Sequence, residues 1–310
     1  MVNTVERKIE QFQASIDYDS PQALRRFLDE QGLGMQKKFG QNFLINRDIR
    51  QRLVQALELP ETALVWEVGP GLGAMTVELM RHGAHVTAFE IDRGFSRALR
   101  NLIPEPSCFT LIEGDVLKTW RVQDLNERSQ GTAAEYFLGN LPYNIAATLL
   151  ADFIEGGRFF NRMVVTIQKE VAQRMLAKPG SKDYSSFTVL CTSAYTIRPL
   201  MTLKGPSFYP VPHVDSQAVR MDLRNDRNPG ADSPFFRSMV RSLFSSRRKN
   251  IKNNLRNFLV GRQLKSGLNM SELVDTVIAR ACLDGNQRAE ELNLEAFLCL
   301  SREMESLLCQ

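Results

Sequence analysis

From Leu64 onward, short apolar runs alternate with stretches of helical periodicity. This alternation constrains the fold more than any other feature of the chain. The runs are Leu64–Val68 and residues 85–91, 108–113, 136–139 and 163–168. Each is strand-length, and enough chain lies between neighbours for one helix. Parallel strands need such crossovers, and strands covered on both faces are apolar throughout rather than alternating. The pattern therefore predicts an α/β fold with a mostly parallel sheet. Two later runs, Tyr195–Leu203 and residues 217–223, flank the proline-rich Phe208-Tyr-Pro-Val-Pro212 and are expected as an antiparallel pair closing the sheet edge.

The rest of the chain fits around that sheet. Ser20-Pro21 is a helix start, with serine as cap and proline in the first turn, and the helix is expected to stop at Gly32. A second helix is expected over residues 48–57. Residues 1–18 read as a loose polar extension, and residues 225–234 (NDRNPGADSP) as a linker into an all-helical remainder. The longest apolar candidate for a membrane span, residues 136–154, is broken by Asn140, Pro142, Asn144 and Asp152. The opening MVNTVERKIEQ has no apolar signal core, which points to the cytoplasm. Five scattered cysteines without a Cys-x-x-Cys read as reduced thiols, and three histidines give no histidine-rich metal site.

A formal net charge of +4 hides a local excess. No acidic residue lies between Asp232 and Glu272, a stretch that carries Arg237, Arg241, Arg247, Arg248, Lys249, Lys252, Arg256, Arg262 and Lys265. Its apolar residues fall at helical spacing: Phe236, Met239, Val240, Leu243 and Phe244, then Ile251, Leu255, Phe258 and Leu259. One face is expected to bury and the other to offer cations to a polyanion such as nucleic acid.

Three strand ends carry chemistry. Val65-Trp-Glu-Val-Gly69-Pro-Gly71-Leu-Gly73-Ala is a strand, a glycine-rich turn and a helix start, the arrangement that lets backbone approach a ligand. Glu90, at the end of the next strand, sits where ribose hydroxyls are gripped; this holds for a nicotinamide dinucleotide and for S-adenosylmethionine alike. Asp115 follows one βα unit later, placed to accept from an adenine amine. Gly139-Asn140-Leu141-Pro142-Tyr143-Asn144 ends the fourth strand. An adenine amine is a poor nucleophile because its lone pair is delocalised into the ring. Two acceptors aimed at its hydrogens, the Asn140 side-chain oxygen and the Leu141 carbonyl, draw the nitrogen toward tetrahedral geometry. Pro142 stiffens the turn, and Tyr143 offers a ring on which an unstacked base can lie.

Further motifs follow in order: KKFGQNFL at residues 37–44, QKEVAQR at 168–174, KPGSKDY at 178–184, FYPVPHVDS at 208–216, RRKNIKNNL at 247–255 and RAEEL at 288–292. With the glycine turn and the Asn-Leu-Pro-Tyr turn, they resemble the KsgA family of ribosomal RNA adenine dimethyltransferases, from residue 20 to residue 304. The resemblance implies a Rossmann-like class I methyltransferase: a mostly parallel seven-stranded sheet with an antiparallel edge pair, plus a small all-α C-terminal domain. It divides the chain into an extension (1–18), an S-adenosylmethionine-dependent methyltransferase domain (19–224) and a basic helical domain that binds rRNA (225–310). Gln41, Asn42, Leu44, Gly69, Gly71, Glu90, Asp115 and Asn140 are implied to hold the cofactor. Asn140, Leu141, Pro142 and Tyr143 form the catalytic turn, with Phe208 as a second aromatic wall for the flipped base. Arg247, Arg248, Lys249 and Lys252 are implied to hold RNA. The implied reaction is N6,N6-dimethylation of two adjacent adenosines in the 3′-terminal helix loop of 16S rRNA, within the small subunit or its precursor. The expected enzyme is a monomer using S-adenosylmethionine, no metal and no membrane, and contributing to ribosome biogenesis. Two alternatives share the scaffold: a resistance-type methyltransferase acting on large-subunit rRNA, and a non-catalytic ribosome-assembly factor. A nicotinamide oxidoreductase leaves the Asn-Leu-Pro-Tyr turn and the basic helices unexplained.

Overall fold

The computed structural model describes residues 16–35, 41–103, 108–262 and 269–309. Residues 1–15 of the expected extension, residues 37–40 of the KKFGQNFL motif, and Lys265 lie outside them. The chain divides into two compact units. One comprises the chain up to Leu149 together with Phe159–Ala172 and Ile197–Leu223; the other comprises Leu150–Arg158, Gln173–Thr196 and the chain from Arg224 onward.

In the first unit, Ile16 and Tyr18 are already buried, and the Tyr18 hydroxyl donates to the Leu72 carbonyl at 2.6 Å. Helix α1 (Pro21–Glu30) begins where the cap predicts: the Ser20 hydroxyl accepts from the Ala23 amide at 3.2 Å. A short strand β1 (Phe43–Leu44) and α2 (Arg47–Gln55) follow. The βα alternation then runs β2 (Leu64–Val68), α3 (Ala74–Arg81), β3 (His85–Glu90), α4 (Arg93–Leu102), β4 (Phe109–Glu113), α5 (Val116–Gln130), β5 (Tyr136–Asn140), α6 (Ala146–Glu155), β6 (Arg162–Gln168) and α7 (Lys169–Met175). After α8 (Ser186–Ala194), which belongs to the second unit, come β7 (Tyr195–Leu203), β8 (Phe208–Tyr209) and β9 (Ser216–Leu223).

The strand order is β4-β3-β2-β5-β6-β9-β7 in a seven-stranded sheet. The pairs among β2 to β6 are parallel, and β9 runs antiparallel to β6. The late strands therefore close the sheet edge, with β9 inside and β7 outermost. The two faces of the sheet pack separately, because side chains alternate along each strand. Trp66, Phe89, Phe137 and Phe160 form one aromatic layer, with Trp66 at 4.9 Å from Phe89 and 5.5 Å from Phe160. Val65, Ala88, Leu138 and Val164 face the other way, with Leu53, Leu79 and Phe208. The order reverses between β2 and β5: β3 and β4 extend to one side, β5 and β6 to the other. Ligands bind such sheets in the crevice beyond the strands' C-terminal ends at this point.

The second unit has its own core. Helices α9 (Pro234–Ser245), α10 (Ile251–Leu259), α11 (Met270–Arg280) and α12 (Leu294–Cys309) bury Phe236, Met239, Leu243, Leu255, Val277 and Phe297 against one another. Residues 225–234, expected as a linker, are folded. Arg227 pairs with Asp232, Asn228 accepts from the Gly230 amide, and Ala231 is buried in the helical core. Turn-forming composition and a fixed turn look alike in sequence.

Candidate cofactor cleft and catalytic turn

The crevice at the β2/β5 switch point is a cleft of about 290 Å³. The eight residues expected to hold a cofactor all line it: Gln41, Asn42, Leu44, Gly69, Gly71, Glu90, Asp115 and Asn140. The turn after β2 is possible because Gly69, Gly71 and Gly73 adopt φ of +73°, +58° and +88°. Gly71 has a second reason to be glycine. A Cβ there would lie 2.9 Å from Phe43 Cε1, so the Phe43 ring closes one wall of the cleft only against a bare backbone.

Glu90 is tied into that turn. Its Oε2 accepts from the Gly71 amide at 3.1 Å and its Oε1 from the Asp92 amide at 2.9 Å. Burial pushes its carboxyl up to about 7, against the pull of those two amides. Glu67 on β2, to which sequence reasoning assigned no role of its own, also lines the cleft. Burial raises it to about 7 as well; the Thr76 hydroxyl, donating to Oε2 at 2.7 Å, opposes this and the Glu90 charge adds to it. Asp115 caps α5, its Oδ1 accepting from the Leu117 amide at 3.0 Å. The cap uses one carboxylate oxygen and leaves the other for a ligand.

The Asn140-Leu-Pro-Tyr143 turn is held from both sides. Asn140 Nδ2 donates to the Asn42 main-chain oxygen at 2.8 Å, which fixes the amide so that Oδ1 is the free end. The Leu141 amide donates to the Thr166 carbonyl at 3.0 Å, while the Leu141 carbonyl accepts from no donor among the described residues. The Pro142 carbonyl accepts from the Ile145 and Ala146 amides at 3.1 Å and so starts α6. Tyr143 is half-buried, with its hydroxyl 2.7 Å from Ser216 Oγ, and burial raises its phenol above the ordinary value. Gln41 Nε2 donates to Asp92 Oδ2 at 3.3 Å, which anchors the 41–44 segment to the end of β3.

Phe208, expected as the second wall for the base, is a core residue in this conformation. It pairs across the β1–β8 ribbon with Leu44 and is only 2% exposed, packed with Leu203 and Ala218. In this conformation its ring serves the core. Besides Glu67 and Phe43, sequence reasoning missed Ile91, a cleft-lining aliphatic that is 41% exposed. Its signal was an apolar residue directly after the strand-end Glu90, which β-strand patterning alone explains equally well.

In the helical unit the four candidate RNA-binding residues differ. Arg247 pairs with Glu290 at 2.7 Å and donates to the Lys182 carbonyl, and Lys252 pairs with Asp275 at 2.6 Å. Arg248 and Lys249 are exposed, with no ion-pair partner among the described residues. They ride on a turn braced by Asn254, whose buried Nδ2 donates to the Leu243, Ser246 and Lys249 carbonyls. Among the described residues no group of three or more His, Cys, Asp or Glu could hold a metal ion, and no helix is long and apolar enough to cross a membrane.

The sheet, the glycine turn and the strand-end acids define a class I, S-adenosylmethionine-dependent methyltransferase. The cleft fits that cofactor: a glycine cradle that a Cβ would fill, carboxylates for a diol and an amine, and an exposed aliphatic wall. The ribosomal RNA adenine dimethylase family model matches residues 32–289, and the chain belongs to that family. It is 46% identical to the ribosomal RNA small subunit methyltransferase A of Treponema denticola over 287 residues, 92% of this chain and 94% of that one. A dimethyladenosine transferase from Plasmodium falciparum superposes with a TM-score of 0.71 at 23% identity, covering 84% of this chain and 96% of that one. The 23S rRNA methyltransferase ErmE superposes at 0.57, also at 23% identity, covering 84% and 99%. These two structures share its fold.

Proposed function

We propose that this protein dimethylates N6 of two adjacent adenosines in the 3′-terminal helix loop of 16S rRNA, in the small subunit or its precursor, as a monomer in the cytoplasm. Its relatives named for the small subunit support that substrate over 23S rRNA. The observation that carries the chemistry is the Asn140 amide, held by the Asn42 carbonyl with its oxygen free beside the cleft.

When bound, S-adenosylmethionine supplies a methyl carbon on a sulfonium, an electrophile strong enough to need no metal. The chain's own residues bind and orient. Glu90 accepts from the ribose hydroxyls, Asp115 from the adenine amine, and Ile91 covers the adenine face. Asn140 Oδ1 and the Leu141 carbonyl accept the two hydrogens of the target amine, so its lone pair points at the incoming carbon. The proton released on N-methylation leaves to water. Tyr143 stacks on the extruded base. Phe208 joins it only if the β1–β8 ribbon opens. Arg248 and Lys249 bind phosphate directly, whereas Arg247 and Lys252 first exchange their carboxylate partners.

The test is incubation of the purified protein with tritiated cofactor and undermethylated ribosomal subunits. Label is expected in the small subunit; label in the large subunit alone would overturn the substrate assignment.

A further inference from the structure

The loop between β8 and β9, residues 210–215, carries two aliphatic side chains that the fold leaves largely exposed. Val211 is 62% exposed and Val214 46%. Exposed valines are common singly, but these stand on a short, stiff loop at a particular place. Pro210 and Pro212 bracket Val211 and fix the backbone on either side of it. Val211 also sits on Gly205: a Cβ there would lie 2.7 Å from Val211 Cγ1. The far end of the loop is pinned by the Asp215 carbonyl, which accepts from the Lys169 amide at 3.0 Å. The next residue, Ser216, holds the Tyr143 hydroxyl. The near end is the β1–β8 ribbon, whose Leu44 lines the cofactor cleft. A rigid apolar tip is thus strung between the cleft and the ring on which the base would stack.

We propose that Val211 and Val214 form a wedge that enters the RNA stack beside the target adenine and fills the space the adenine leaves. The inference rests on the adenine methylation proposed above. Extruding a base removes its stacking partner, and apolar side chains inserted at that step offset part of the loss. Branched, pre-positioned valines lose little rotamer freedom in doing so. The exposed Lys204 and Lys169 beside the loop suit the flanking phosphates.

The experiment compares the wild-type protein with the Val211→Ser/Val214→Ser double variant. Undermethylated small subunits serve as methyl acceptors. A synthetic 3′-terminal rRNA hairpin with 2-aminopurine 5′ to the adenosine pair reports unstacking. The variant should give less than half the wild-type fluorescence rise. Its kcat should fall about tenfold, with cofactor KM within about twofold, since two exposed valines gain burial only on the RNA. Val211→Ile should keep wild-type turnover. On a hairpin with an abasic site in place of the 2-aminopurine, the double variant and the wild type should run at equal rates. A variant with the full fluorescence rise and full kcat overturns the wedge; so does an undiminished loss on the abasic RNA. If the wild type labels only large subunits, the proposed substrate is wrong, and the same comparison on a hairpin from the labelled site decides the wedge separately.

Discussion

The role proposed for Asn140 needs one of two orientations. A side-chain amide can present oxygen or nitrogen to a ligand, and only the oxygen can accept from an adenine amine. The Asn42 carbonyl selects the productive one by taking the Nδ2 hydrogen. Asn140→Ala is therefore expected to lower kcat by about 100-fold or more, the loss seen when one positioned hydrogen-bonding group is removed from a reacting centre. Cofactor affinity should change by less than about threefold. Single-turnover methylation and calorimetry read the two quantities, and a variant with full turnover would rule the role out. Glu90 makes a second, pH-dependent prediction. Its folded pKa of about 7 exceeds the unfolded carboxylate value, so the folded state holds the proton more tightly. The stabilisation this gives is complete below the unfolded value and is lost as pH rises toward 7. Between pH 5 and 8, the stability of the cofactor-free protein should fall relative to Glu90→Gln by on the order of 3 kcal/mol. Denaturant melts of both proteins at each pH measure it, and parallel pH profiles would contradict it. Cofactor affinity should rise over the same range, because ribose hydroxyls donate to the ionised carboxylate. The positions of Asn140, Glu90 and Asp115 were legible because each lies at a strand end or just past one. The amide's orientation and the burial of Phe208 were not, since both depend on segments 98 and 164 residues away.

At the scale of elements, the acid-free stretch from residue 233 to 271 shows what linear charge patterning misses. Its helices form as the apolar spacing predicts, and the predicted residues are buried except Phe244, which is partly buried against the same core. Its cations are far less free than their sequence suggests. Arg237 donates to the Glu155 carbonyl, Arg241 pairs with Glu155, Arg247 with Glu290 and Lys252 with Asp275. All these partners come from other parts of the chain, which no local window can see. Exposed pairs of this kind contribute little stability, but each lowers the charge offered to a phosphate. Among the described residues, the turn residues Arg248 and Lys249 are exposed and have no ion-pair partner. Reversing both to glutamate should weaken binding to the small subunit at least about tenfold at low salt and flatten the log–log salt dependence by about 2. Neutralising Arg247 and Lys252 should do less. Filter binding across a salt series checks both, and equal effects from the two pairs would return the cationic role to the whole stretch.

Across the molecule, the βα alternation was the most legible feature, because buried parallel strands must be apolar and must be joined by crossovers. The five parallel strands fall within a residue of the expected runs. The β1–β8 ribbon escaped, being two residues per strand and closed across a large sequence gap. It brings Phe43, Leu44 and the Asn42 carbonyl to the cleft, so the site is assembled from chain segments on either side of the parallel strands. Mass spectrometry of the 3′-terminal 16S rRNA fragment, after undermethylated small subunits are incubated with the protein and S-adenosylmethionine, tests the account most directly. Two adjacent adenosines, each carrying two added methyl groups on N6, are the predicted result. An unmodified 3′ fragment alongside methylated 23S rRNA, or modification at a base other than adenine, would contradict it.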